Sequence, residues 1–260
     1  MMSAAARLAV MAVLLAIGRD ALAEMPLSQR KSGTETMAPE ARAMQADDFA
    51  NPGMLFVMEG EMLWSRPAGP RSQSCASCHG DAKAAMRGVA ARYPAFDAAS
   101  GGPMDLDGRI NQCRTERQGA PAFSREGREI LSLSAYVAHQ SRGLPIVPPD
   151  DARLAAFRQR GAALFQRRVG QLDLSCAMCH DERWGQKLAG NTIPQGHPTG
   201  YPTYRLEWQT LGSLHRRLRN CLTGVRAEAP SVGARELVEL ELYLMWRARG
   251  MDVETPSVRP

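Results

Sequence analysis

The sequence predicts an all-α fold of two tandem, similar domains with long irregular loops, arranged as a pseudo-two-fold repeat. Three observations predict it. The motif C-x-x-C-H occurs twice, as Cys75-Ala76-Ser77-Cys78-His79 and as Cys176-Ala177-Met178-Cys179-His180. Aligning the chain on these motifs, a shift of 101 residues, places Gly60, Leu63 and Trp64 on Gly161, Leu164 and Phe165. Farther on the shift becomes 108: Tyr93-Pro94-Ala95-Phe96 falls on Tyr201-Pro202-Thr203-Tyr204, and Leu106, Arg109 and Cys113 fall on Leu214, Arg217 and Cys221. After each of those lone cysteines comes an amphipathic stretch, Ile130, Leu133 and Val137 in the first repeat and Leu237, Leu240 and Leu244 in the second, spaced as on one helix face.

The 260 residues, 44% hydrophobic and 23% charged, are enough for one large or two small cores and exclude a disordered or fibrous chain. Arg7, the apolar run Leu8 to Ile17 and the small-x-small triplet Ala21-Leu22-Ala23 read as an export signal over 1–23, with the mature chain expected to start at Glu24. No other segment has the 18 or more consecutive apolar residues of a membrane span, so the protein is expected to be exported and soluble. Residues 24–50 read as an N-terminal extension on the surface, and the tail after Gly250 reads the same way. The first domain is expected over 51–149. Its closing helix is capped by Gly143, and Pro145, Pro148 and Pro149 with Asp150-Asp151 form the linker. The second domain spans 150–260, with Gly250 as the equivalent cap.

Six cysteines in an exported chain suggest three disulfides, but the spacing points elsewhere. In C-x-x-C-H the two thiols form thioethers to a haem and the histidine ligates its iron. A redox dithiol or a zinc site leaves the histidine of each motif unexplained. The chain is therefore expected to carry two covalent haem c groups, on Cys75 and Cys78 and on Cys176 and Cys179, with His79 and His180 as axial ligands. The order helix, haem motif, loop and closing helix is that of a small c-type cytochrome domain, present twice.

The opposite side of each iron is usually taken by a methionine. Between Asp181 and Leu244 there is none, which leaves His197, His215 and Cys221. In the first repeat Met86 and Met104 are available, but neither they nor the two histidines recur in the other repeat. Only Cys113 and Cys221 do. They read as axial thiolates, with a disulfide between them as the alternative. A thiolate stabilises ferric iron and lowers the potential, and with positive charge beside it a thiol is also a nucleophile.

The net charge of +5, +4 without the signal, is too small to imply nucleic acid. Apart from Lys31, Lys83 and Lys187, all 29 basic residues are arginine, a side chain suited to small oxyanions, though codon bias accounts for such a composition as readily. Arg216, Arg217 and Arg219 lead into Cys221, and Arg247 and Arg249 sit in the closing helix expected to fold over it. The first repeat offers Arg109 and Arg114.

The two haem motifs, Arg109-x-x-x-Cys113 and Arg217-Leu218-Arg219-Asn220-Cys221 resemble the SoxA family, the dihaem cytochrome subunit of L-cysteine S-thiosulfotransferase. The resemblance spans essentially the mature chain. It implies a periplasmic enzyme of sulfur oxidation, a heterodimer with a SoxX-type monohaem cytochrome c, that oxidatively joins thiosulfate to a cysteine of the carrier SoxY, part of SoxYZ. It further implies that Cys221 is the catalytic cysteine, carried as a persulfide, and that Arg217 binds substrate. The other reading is a dihaem electron-transfer cytochrome whose arginines dock an acidic partner. A dihaem peroxidase needs an open iron site, which cysteines opposite both irons disfavour.

Overall fold

The computed structural model describes residues 25–260; the signal over 1–23 lies outside the described residues. Met25–Arg30 belong to a separate unit from the rest of the chain and form one short 3-10 turn at Leu27–Gln29. Both repeats lie within the unit Lys31–Pro260.

After α1 (Pro39–Ala46), the first repeat runs through α2 (Gly53–Ser65), α3 (Cys75–His79), α4 (Ala82–Ala85), β1 (Ala95–Asp97), β2 (Gly102–Met104), α5 (Leu106–Cys113) and α6 (Arg128–His139). The second follows with α7 (Ala155–Gln166), α8 (Cys176–His180), β3 (Lys187–Leu188), β4 (Asn191–Thr192), β5 (Thr203–Arg205), β6 (Thr210–Gly212), α9 (Leu214–Gly224) and α10 (Arg235–Arg247). The chain ends in β7 (Ser257–Arg259). The fold is mostly helical, as expected. Its loops contain short hairpins that three-residue strands leave invisible to sequence periodicity.

Local chemistry starts the helices in the same way in both repeats. Each motif helix begins at a serine whose Oγ accepts a backbone N–H in the first turn, Ser74 from Ser77 at 3.0 Å and Ser175 from Met178 at 3.2 Å. The helices leading to the lone cysteines are capped by Asp105, accepting from Gly108 at 2.9 Å, and by Ser213, accepting from Arg216 at 3.1 Å. Gly143 and Gly250 have φ of 74° and 83°, but the closing helices end before them, at caps Gln140 and Ala248, so the glycines turn the chain after the helix rather than cap it.

Each repeat packs its leading helix on its closing helix through a glycine. A Cβ at Gly60 would stand 2.1 Å from the carbonyl oxygen of Ser132, and one at Gly161 2.0 Å from that of Glu239. The close approach brings Trp64 against Tyr136 and Phe165 against Tyr243, with ring centroids 6.1 and 5.5 Å apart. A third apolar cluster, Ala91, Ile146, Met245, Ala248 and Val253, draws on both repeats and ties them together.

The tail after Gly250 is not a surface extension. β7 runs parallel to β5, pairing Thr203 with Ser257 and Arg205 with Arg259, and Val258 is fully buried. The segment before α2 is also partly built in: Gln45 is buried and its Oε1 accepts the Val258 N–H at 3.0 Å, while Ser32 Oγ donates to Glu254 at 2.8 Å. The edge of β5 needs a partner for its backbone groups, and the tail supplies it.

Candidate active site

In the second repeat the sequence-predicted residues converge. Cys176 and Cys179 open and close one turn of α8, and His180 ends it. His180 Nδ1 lies 2.7 Å from the carbonyl oxygen of Pro194; a carbonyl only accepts, so Nδ1 carries the proton and Nε2 presents its lone pair, as an iron ligand would. Gly196, with φ of 76°, passes close to this ring: a Cβ there would be 3.0 Å from His180 Cγ. Cys221, two turns into α9, faces His180 and shares a hydrogen bond with it. Burial alone pushes the Cys221 thiol up, but the adjoining His180 ring, Arg217 and Arg205 together bring it below the ordinary cysteine value. Cys176, near Cys221, is instead pushed up to about 11 by burial and by the Cys221 charge.

The first repeat builds the same arrangement with different electrostatics. Cys75 lies near Cys113 and Cys78, and the His79 ring stacks on Trp64 at 5.8 Å. Cys113 is held above its ordinary value by burial, which Arg109 and Arg117 only partly offset. Arg109 is occupied: its Nη2 pairs with the buried Asp97 at 3.1 Å, and it bonds Tyr93 as well.

These donors fit haem c. All six cysteines are free thiols, as thioether attachment requires, so the alternative disulfide between Cys113 and Cys221 is not formed. In each repeat the motif thiols and the lone cysteine are within electrostatic reach of one another. Neither histidine weighed against Cys221 takes its place. His197 is buried with Nδ1 on the Lys31 carbonyl at 3.0 Å, and His215 faces the seam between the repeats.

The arginines expected around Cys221 divide. Arg217 lies beside it, whereas Arg216 stacks on Trp208 at 4.1 Å and Arg249 on Trp246 at 3.7 Å. Arg249 lies two residues past the end of α10 and covers the Trp246 ring of that helix. Arg247 pairs with Asp181 at 2.7 Å and covers the Phe165 ring. Arg219 keeps a buried Nε without a hydrogen-bond partner. In the first repeat Arg114 lies over Phe123 at 3.8 Å. Sequence reasoning missed Arg205, at the end of β5, which reaches both Arg217 and Cys221.

A second concentration of titratable groups lines a cavity of about 80 Å³ at the seam. Asp107 bonds Ser134, and at the equivalent place in the second repeat His215 Nε2 lies beside Glu241 Oε2. Asp105, paired with Arg125, completes the group.

The repeated motif helices, lone cysteines and closing helices define a c-type cytochrome of two tandem domains. A model of the SoxA/TsdA cytochrome c domain matches residues 59–146 and again 160–253. This chain belongs to the SoxA/TsdA cytochrome c family, and it binds haem c. It is 39% identical over 235 residues to the L-cysteine S-thiosulfotransferase subunit SoxA of Pseudaminobacter salicylatoxidans, covering 90% of this chain and 82% of that protein. To the protein of the same name from Rhodovulum sulfidophilum it is 37% identical, covering 88% and 80%. The crystal structure of SoxXA from P. pantotrophus superposes with a TM-score of 0.85 at 32% identity, over 89% of this chain and 87% of that one.

Proposed function

We propose that this chain is the SoxA-type subunit of an L-cysteine S-thiosulfotransferase and that its second repeat is the catalytic one. The observation that carries the choice of repeat is an asymmetry at the lone cysteines. Cys221 faces His180 with Arg217 and Arg205 beside it and is pulled toward the thiolate, while Cys113 stays above its ordinary value and Arg109, the counterpart of Arg217, is paired with Asp97. The names of the relatives support the reaction, and the likeness to SoxXA supports a SoxX-type cytochrome as partner.

In this reading there are two haem c groups, held by Cys75 and Cys78 with His79 and Cys113, and by Cys176 and Cys179 with His180 and Cys221. The domains meet near 149, and the site of action is the periplasm. Among the described residues no helix is long and apolar enough to cross a membrane.

Joining a carrier thiol to thiosulfate breaks one S–H bond, forms one S–S bond and releases one proton and two electrons. Haem c, when bound, accepts electrons singly, which suits a protein with more than one. Arg217 holds the anionic end of thiosulfate against Cys221. The Cys221 thiolate bonds the outer sulfur of thiosulfate with loss of the two electrons, which bound haem c would accept one at a time, and the thiolate of the carrier SoxY then attacks that outer sulfur and displaces the Cys221 thiolate. The Pro194 carbonyl fixes the His180 ring, which leaves Nε2 as the atom that would hold the haem.

The test compares Cys221→Ser with Cys113→Ser in the complex with the monohaem cytochrome. Thiosulfate coupling is expected to vanish in the first and persist in the second, with both haems still attached. A Cys221 peptide should gain sulfur mass after substrate. Full turnover by Cys221→Ser overturns the transferase reading in favour of an electron-transfer cytochrome.

A further inference from the structure

The two repeats provide an internal comparison of what faces the helix arginine. β1 and β2 pair Asp97 with Gly102, and β5 and β6 pair Arg205 with Thr210, so Asp97 and Arg205 occupy the same register position of equivalent hairpins. Arg109 and Arg217 are likewise equivalent, each one turn before its lone cysteine. In the first repeat the hairpin supplies a buried carboxylate that pairs with the arginine at 3.1 Å. In the second repeat the same position supplies another arginine.

Arg205 and Arg217 lie within electrostatic reach of each other and repel, with the Cys221 sulfur near both. The Arg205 side chain is only 14% exposed. Its one carboxylate contact, Glu207 at 2.9 Å, has a side chain 52% exposed and lies toward solvent, and Arg205 Nε is buried without an aligned hydrogen bond. The Arg205 guanidinium also lies 5.1 Å from the Trp208 ring centre, and Arg216 covers that ring as well, which holds the strand-borne arginine in place. Burial and Arg217 push the Arg205 proton affinity down, against the opposing effects of Glu207, Tyr201 and Cys221. Such a pair of cations is stabilised by a small doubly charged anion between them.

We propose that Arg205 is the second cation of the substrate site and, with Arg217, binds the sulfonate end of thiosulfate beside Cys221. This rests on the function proposed above. It also accounts for why one repeat is catalytic: Asp97 closes the corresponding pocket to anions, and Arg205 opens it. Arg205 therefore decides that the substrate is an oxyanion, while Cys221 receives its outer sulfur.

The experiment uses the complete haem-loaded complex with Arg205→Gln, Arg205→Asp and Arg205→Lys, assayed over a range of thiosulfate concentrations. The KM for thiosulfate should rise about tenfold or more in Arg205→Gln and further in Arg205→Asp, as loss of one charge-assisted contact predicts. Arg205→Lys, which keeps the charge, should stay within about threefold of the parent. The haem spectra and reduction potentials should not move. An unchanged KM in both Arg205→Gln and Arg205→Asp overturns the assignment. An unchanged KM with a shifted potential overturns it in favour of a haem propionate as the anion that Arg205 neutralises. Arg217→Ala and Cys221→Ser in the same preparation separate the two levels: if they remain active, the function itself is wrong, whereas their inactivity beside a normal Arg205→Asp removes Arg205 alone.

Discussion

The imidazole of His215 stands 2.9 Å from Glu241 Oε2 and 3.9 Å from Asp105 Oδ2, so a histidine of one repeat is held between acids of both. Burial pushes its proton affinity down, but Glu241, Asp105 and Asp107 raise it above the ordinary value. Nearby, burial and the Asp105 charge push Asp107 from 3.8 up to about 7, against the opposing effects of Ser134 and Arg125.

Both groups bind protons more tightly in the folded chain than in the unfolded one. Their contribution is present at low pH and is lost as pH rises, for Asp107 on the way up to about 7 and for His215 above the ordinary imidazole value. The thermal midpoint should therefore fall between pH 5 and pH 8. Asp107→Asn, which keeps a partner for Ser134, should flatten that fall and exceed the parent at pH 8. A parent protein with no such slope would falsify the assignment.

Gly60→Ala and Gly161→Ala should each cost about 3 kcal/mol or more, because the new methyl meets a helix carbonyl at 2.1 or 2.0 Å and the paired helices must separate. Denaturant titration of the haem-loaded protein measures this. Equal stability of either variant with the parent contradicts the packing described.

Much of this arrangement is legible in the sequence. Motif spacing singles out the two cysteine pairs, and a shift of 101, then 108, locates the lone cysteines, because backbone turns and core contacts recur with the repeat. The extra residues between His180 and Tyr201 form β3 and β4. Two features are hidden for physical reasons. β7 has no apolar periodicity to announce it, since Val253 and Val258 are separated by Pro256 and the strand has only three residues. Arg205 is hidden because repeat alignment rewards likeness, and its meaning lies in being the chemical opposite of Asp97. The signal was present one position beyond the aligned Tyr201-Pro202-Thr203-Tyr204 block.

Val258→Asp should unfold the sheet around β5. A carboxylate placed at a fully buried position without a partner costs about 3 kcal/mol or more, and the Gln45 bond to the Val258 backbone should be lost with it. Limited proteolysis is expected to cut first within residues 31–50 and in the tail. Parent-like resistance in this variant contradicts the burial of β7.

Gly196→Ala should disturb the second repeat alone. The added methyl presses on the His180 ring at a backbone angle that L-residues rarely adopt, and tilts the ring away from the Pro194 carbonyl. Electron paramagnetic resonance of the haem-loaded protein should show one of two low-spin His/thiolate signals shifted and the other, from the His79 and Cys113 pair, unmoved. Two shifted signals, or none, would count against separate sites.

The pairing of β5 with β7 also ties the site to a distant stretch of chain. Arg205 sits on a strand whose outer neighbour is Ser257–Arg259, with β6 on its other side, so the backbone that carries this cation is clamped from both edges. A change confined to β7, far from Cys221 in sequence, should thus be read out first as altered chemistry at the second repeat.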